Sequence, residues 1–585
     1  SEWAKNSNWT DNYVPEAYKD IVFATEANNS GTIKGMSGPG AGKGEADKDL
    51  YLDDVNQAAT GGRIIKDLIN DSNKDLVITT TNQLIIDGKV HDKPAGNTST
   101  GTIVVKAAED KATGTLLFSD PSKNGSVNAK VEFINKAYEC VDCGFYRKQW
   151  QYFGIPVKQA DFPYLNASSP SEIINQWVEP YTGSNKWQLA PYTPDLKLMA
   201  FKGYEITNTQ TTRPNPLPVY TFAGELNVGN KTIDLTKTSS VTYSGMNLLA
   251  NSYTAAIPID GNAINPTDLK NNTVYLFNRG TRDQWRKTNG GTVIGIAGGQ
   301  YTAVPINLAG QATLPDRILS MHSFMVEAKE TTAKIELDYS KLVKNVADAA
   351  NNQPAWRSAD NNGKRQLPYI VLDVIGEGSA DRVWLFEESS TTRGYDNGWD
   401  GHKMLEGDLI QVFATDDDHN KYQVTTVPQL DNTTLGIAAR ENESYTISVA
   451  VADDVEVRRL YLHDLFTGRG YLLKNGAEFV ISGTRSANQN RFKITSSPIA
   501  EAQKGDDAPI INTYVRDNVI VVENRSGENA IVSVYDISGR FVGKAQIAKD
   551  EIKSFAELSV GTGVKVVKVV SNSGSINRSD RVLLK

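Results

Sequence analysis

Apolar residues in this chain come in runs of three to six, often β-branched or aromatic, bounded by Gly, Asn, Asp and Pro. Runs that short cannot build amphipathic helices, which need apolar positions recurring every three or four residues over several turns. Two segments carry a helix-like spacing, SEIINQW around Ile173 and YSKLVKNVADAA around Leu342. Everything else predicts strands and turns. The fold class expected is all-β. With 585 residues and roughly 150 per domain, about four modules are expected, each able to bury a core.

In residues 1–153 the apolar runs are unusually short: Val77 with Ile78, Leu84 to Ile86, Ile103 to Val105, Leu116 to Phe118, Val131 with Phe133. Strands of three or four residues cannot bury a face singly but can when stacked as coils. A β-solenoid-like module is the first reading and an ordinary antiparallel sandwich the second. Residues 154–345 form a central β module with aromatic strands such as LMAFKGYEI and NTVYLFN. Residues 346–496, with LPYIVLDVI, DRVWLFEE, DLIQVFAT, YTISVAV and VRRLYLHDL, predict a β-sandwich. A polar, Ala-, Asp- and Pro-containing stretch at 497–511 reads as a linker. Residues 512–585 form a last module of about seven strands, expected to fold independently with few contacts to the module before it.

The net charge is −8 with both signs interspersed, which argues against nucleic acid as a partner. No apolar run reaches the length of a transmembrane helix. Ser1 opens a polar stretch, SEWAKNSNWTDNY, so an exported form is expected to have shed its leader already.

Candidate chemistry is sparse. The two cysteines, Cys140 and Cys143, stand in one CVDC turn. A local disulfide is the leading reading and would contribute about 2 kcal/mol for so small a ring; an inert thiol pair comes next, then metal or redox chemistry. The segment Gly35 to Glu45 departs from a phosphate loop, with Ser37 at the first Gly position and Gly44 where Ser or Thr would ligate magnesium. The histidines, His91, His322, His402, His419 and His463, show no metal spacing, and no Gly-x-Ser-x-Gly elbow is present. Asp396, Asp400, Asp416 and Asp418 are weak candidates for a cation. Turn formation is the favoured role for the first two and solvation for the others. No cofactor is expected; calcium is the ion these carboxylates would take. Nine Trp and 24 Tyr suit either strand packing or stacking on sugar rings.

The last module contains VYDISGRFVGKAQI, Val534 to Ile547, then LSVGTGVKVVKVV and a terminal RVLLK. This resembles the type A C-terminal sorting domain carried by cargo of the Bacteroidota type IX secretion system. Tyr535, Asp536, Gly539 and Arg540 match that family's Tyr-Asp-x-x-Gly-Arg motif, and Lys585 its basic end. Ser559 to Gly563 lacks the family's proline, and Val564 replaces its usual aromatic. Upstream, GMNLLANSYTAAI (Gly245 to Ile257), QWQYFGIPV from Gln149, ILSMHSFMVEA from Ile318, and TRGYDNGWDGHK (Thr392 to Lys403) with LYLHDLFTGRGYLL and RFKI resemble modules that precede such tags. The resemblance implies export across the outer membrane to the cell surface or beyond, with the secretion machinery as partner and an Ig-like tag. The expected function is a non-enzymatic adhesive or structural surface protein, meeting a surface glycan or a host or neighbouring-cell protein. The alternatives are a glycan-binding protein and, after it, a hydrolase.

Overall fold

The structure is a computed structural model. It describes residues 19–24, 50–52, 63–71, 73–91, 100–109, 111–137, 150–183, 185–189, 197–210, 216–278, 300–346, 366–376, 380–404, 410–439, 444–452, 460–481, 488–496, 511–516, 518–524, 527–549, 551–572 and 577–584. The CVDC pair, the Gly35 to Glu45 segment, most of the 497–511 linker and Lys585 lie outside the described residues. The chain divides into two compact units. One is Ser1–Arg286 with Gly298–Gln366 and Asn397–Gly401; the other is Lys287–Ala297 with Leu367–Asp396 and His402–Lys585.

The first unit begins as a parallel solenoid. Its strands are β1 (Lys19–Ala24), β2 (Leu50–Leu52), β3 (Arg63–Asp71), β4 (Leu76–Ile78), β5 (Gln83–Ile86), β6 (Ile103–Val105), β7 (Thr115–Phe118) and β8 (Asn128–Ile134). The chain alternates between two sheets, β1-β3-β5-β7 and β2-β4-β6-β8. Every neighbouring pair within these runs is parallel. Register stacks like on like: Leu76 faces Ile103 and then Ala129, while Leu84 faces Leu116. Leu76, Ile78, Leu84, Ile86, Val105, Leu116 and Val131 are completely buried, each contributing on the order of 2 kcal/mol by leaving water. The strand Val219–Glu225 then pairs antiparallel with β8 and extends that sheet.

Both helix expectations fail. Glu172–Trp177 is a strand paired with Tyr204–Asn208 and Trp187–Leu189; Glu172 and Ile174 point inward while Ile173 and Asn175 are half-exposed. Ladder bonds on both sides outweigh a weak helical spacing in a segment with two adjacent β-branched residues. In the second segment only Tyr339–Lys341 turns, as one 3₁₀ turn capped by the Asp338 carboxylate on the Ser340 N–H. Val343 immediately after it bonds in an extended bridge to Ala256.

In the second unit, eleven strands form one continuous sheet. Its inner strands are antiparallel except for Ala380–Glu387 beside Lys421–Val427, which run parallel. Alternate residues Ile370, Leu372 and Val374 enter one core with Val383, Leu385, Val412 and Val449. Residues 511–584 form a three-stranded and a four-stranded sheet around a separate core of Ile520, Val522, Val532, Val534, Phe555, Val567 and Val569. An ion pair, Arg469 to Glu523 at 2.6 Å, ties this module to the strand Arg469–Leu472 within the same unit.

Candidate functional site

Tyr535, Asp536, Gly539 and Arg540, which carry the resemblance to a sorting domain, lie on one hairpin. The strands Ala530–Asp536 and Phe541–Ile547 pair antiparallel, with an irregularity at Val534/Tyr535. At the tip the Asp536 carboxylate accepts from Ser538 N (3.0 Å), Ser538 Oγ (2.6 Å), Arg540 N (3.0 Å) and Arg540 Nε (2.9 Å). Gly539 sits at φ +85°, the left-handed position that closes such a turn and that a Cβ would strain. The hydroxyl of Ser538 and the Arg540 N–H hold the Asp536 carboxyl down to about 2. Tyr535 packs edge-on against Phe541, ring centroids 5.5 Å apart. Four side-chain bonds to one carboxylate fix the tip while Ile537, Phe541 and the Arg540 side chain stay exposed.

Two of the acidic candidates, Asp396 and Asp416, use their carboxylates to hold turns. Asp396 accepts from Thr392 N and Oγ1 at 2.6 and 3.0 Å. Asp400 is completely buried in the first unit, its carbonyl accepting from Thr273 Oγ1. Asp416 accepts from Asn420 N, Asn420 Nδ2 and the Tyr422 hydroxyl, while Asp418 is exposed beside His419 at φ +63°. Among the described residues no group of three or more His, Cys, Asp or Glu is placed to hold a metal.

The motif segments of the first unit also meet. Met246–Ala250 pairs antiparallel with Ser323–Glu327, and Phe153 bridges His322. The two asparagines of GMNLLANSY brace the backbone. Asn247 bonds Thr236 N and O and Gly245 O; the completely buried Asn251 bonds Ala255 O, Ile318 O and Tyr253 N. Gly154 is required by close approach, because a Cβ there would lie 2.1 Å from the Ala250 Cβ.

Nearby, Tyr152 stacks on Phe277 at 4.1 Å and meets Trp187 edge-on at 5.0 Å. The adjoining cleft, lined by Lys136, Gln151, Tyr152, Phe277, Met321 and His322, has a volume of ≈ 70 Å³, far below the several hundred Å³ of a small-molecule site. Across the ladder from Tyr152, burial pushes the Glu205 carboxyl up to about 8, its Oε1 accepting from Asn175 Nδ2 at 2.7 Å.

Buried ion pairs in the second unit were not foreseen. Asp373 holds Arg382 through two bonds at 2.6 and 2.8 Å, and Asp464 holds Arg491 at 3.0 and 2.9 Å. Lys403 lies 2.6 Å from Asp381. The only local signal was a charged pair at the head of DRVWLF, which reads equally as a solvated strand end.

A parallel solenoid followed by β modules defines a multi-domain all-β protein. The chain belongs to the family described as a domain of unknown function (DUF8693), matched over residues 62–495. It is similar to the minor fimbrium subunit Mfa5 of Porphyromonas gingivalis (strain ATCC 33277), with 41% identity over 581 residues. That match covers 99% of this chain and 45% of the relative, so the chain spans less than half of the relative's length. A solved structure titled biofilm associated protein, BSP domain, aligns with 78% of this chain and 96% of its own at 10% identity and a TM-score of 0.15, a likeness too slight to carry an argument.

Proposed function

We propose that this chain is a non-enzymatic structural or adhesive component of a fimbria-type assembly on the bacterial surface, delivered by type IX secretion through residues 512–585. The observation that carries the first half is 41% identity across 99% of the chain with a minor fimbrium subunit. The match runs over 581 residues, nearly the whole of this chain and 45% of the relative, and a shared role over that portion is what the identity supports. The secretion half rests on the sequence resemblance, supported by the Asp536-centred hairpin, where three motif residues have a geometric reason: Asp536 as acceptor, Gly539 at positive φ, Arg540 exposed. Within this reading the partners are other surface subunits and the export machinery.

The test is made in the bacterium that encodes the chain. A chromosomal deletion of residues 512–585 is expected to remove the protein from the surface-exposed, protease-sensitive fraction and leave it inside the cell. With the intact protein, mechanically sheared surface fibres should contain it. A truncated chain that still reaches the surface would overturn the export half. Intact protein at the surface that never co-purifies with sheared fibres would overturn the fimbrial half.

A further inference from the structure

Of the three buried ion pairs in the second unit, two are geometrically complete. In each, a guanidinium lies parallel to a carboxylate and both oxygens receive an N–H, the arrangement that makes a buried charge pair tolerable. The third differs. Lys403 Nζ stands 2.6 Å from Asp381 Oδ2, with side chains 1% and 0% exposed, yet among the described residues neither Nζ nor Asp381 Oδ1 makes a well-aligned hydrogen bond, the Arg382 N–H approaching the carboxylate as well. Oδ2 accepts the Val412 N–H at 2.8 Å. An ammonium and a carboxylate this deep ordinarily use every donor and acceptor they have. Here the nitrogen is pressed against the carboxyl group without satisfying it, the disposition of a nucleophile held against its electrophile.

The neighbours hold this geometry from several sides. Asp381 lies on Ala380–Glu387, where it pairs with Val374 across the ladder. Lys403 follows the short strand Gly401–His402, and its own N–H bonds Lys421 O. Desolvation pushes the Asp381 carboxyl above its ordinary value, which favours its protonated form. In water an amine and an acid do not condense, largely because both are ionised; a proton passing from the Lys403 amine to the adjacent Asp381 carboxylate, whose protonated form burial favours, yields the reactive pair.

We propose that Lys403 and Asp381 condense into an intramolecular amide, a covalent cross-link within the second unit. The neutral Lys403 amine adds through its lone pair to the carboxyl carbon of protonated Asp381, forming the C–N bond. The displaced carbon–oxygen π electrons move onto Oδ2, where the Val412 N–H receives the developing charge as an oxyanion donor does. A proton passes from nitrogen to Oδ1, the carbon–Oδ1 bond breaks, and water leaves as Oδ2 returns to a carbonyl. One amine and one carboxylic acid give one amide and one water, with no oxidant or reductant. The reaction replaces two buried ionisable groups by a neutral amide whose oxygen already has its donor. It also removes the unpartnered Oδ1.

The inference does not depend on the export or fimbrial reading. The full chain is purified folded, then denatured, and its intact mass is measured. The mass is expected to fall one water below that of the uncross-linked chain with its cysteines reduced. A tryptic digest is expected to yield one branched peptide joining the Asp381 and Lys403 segments, with no cleavage after Lys403. The Asp381→Ala chain should show the full mass and separate peptides. Recovery of the two wild-type segments as separate peptides, cleaved after Lys403, would overturn the proposal even if the variant failed to fold. So would a water deficit that persisted in Asp381→Ala, since it would then reside elsewhere.

Discussion

Between Leu76 and Ile134 the solenoid buries Leu, Ile, Val and Phe, and the polar groups it takes inside are neutral: Asn82, Gln83, Thr115 and Asn124. The sheet of the second unit buries Asp373, Asp381, Arg382, Lys403, Asp464 and Arg491 among an equally apolar core. The two regions differ in what specifies their register. Solenoid rungs present similar apolar residues to one another, so stacking aliphatic on aliphatic satisfies them and short strands suffice. A single sheet of eleven strands has many alternative pairings, and an aspartate that must meet one arginine rejects most of them. Buried ion pairs contribute little net stability, since desolvation opposes the attraction, but losing one partner is severe. We therefore expect the solenoid to lose stability in proportion to apolar volume removed, and the eleven-stranded sheet to lose it abruptly when a single charge is orphaned.

The largest effect should come from Asp464→Ala. It strands Arg491, 3% exposed in its side chain, and removes the acceptor for Phe466 N and Thr467 Oγ1. A loss of about 3–5 kcal/mol is expected in denaturant unfolding of the full chain, whereas Asp464→Leu with Arg491→Met should restore most of it. A single-variant loss below about 1 kcal/mol, the scale of an exposed pair, would erase the contrast drawn here. In the solenoid, Leu116→Ala should cost about 3 kcal/mol by transfer and cavity terms together, and the loss should be insensitive to salt because no charge is involved. A salt-dependent loss would show that an ionic contact supports the rungs.

How far the sequence revealed these differences follows from the same physics. The solenoid was legible because its triplets recur, and a repeating local pattern survives without knowledge of partners. The Asp536 hairpin was legible for a related reason: its carboxylate bonds residues two and four positions ahead, so the whole device lies in one short string. Glu172–Trp177 was misread because its strand character comes from Tyr204–Asn208 and Trp187–Leu189, neither adjacent in sequence. The buried charges were invisible for that reason too. Arg491 reaches Asp464 across the paired strands Tyr461–Asp464 and Asn488–Thr495, and Lys403 meets Asp381 only after the sheet is assembled. An Asp or Lys on a strand looks solvated until the second face is found to be covered.

A smaller effect is expected at the hairpin tip. Gly539→Ala places a Cβ at φ +85° with open space around it, so the cost is backbone strain alone, about 1 kcal/mol. It should appear as local loss of amide protection from Tyr535 to Phe541, with the cores of Ile520 and Val567 unchanged. Global unfolding by this one substitution would mean that the turn nucleates the module, and the division between tip and core would fail.

The smallest effect concerns the Asp536 charge and discriminates most finely between side-chain and backbone support. Its carboxyl is held at about 2 against an ordinary 3.8, first by the Ser538 hydroxyl, then by the Arg540 N–H, and to a lesser degree by the Arg540 guanidinium. A folded value below the unfolded one means that the native state favours the ionised form. The contribution is therefore present above about 3.8 and disappears as pH falls through about 2. Carboxyl-carbon chemical shifts followed by NMR should give a midpoint near 2, with the Ser538 and Arg540 amide resonances moving in step. Ser538→Ala should raise that midpoint more than Arg540→Ala, because the second variant keeps its backbone donor and loses only the weaker guanidinium contact. The reverse order would mean that the long-range attraction of Arg540 governs the turn. The exposed cation would then be part of the turn's own support rather than a group left free for a partner to read.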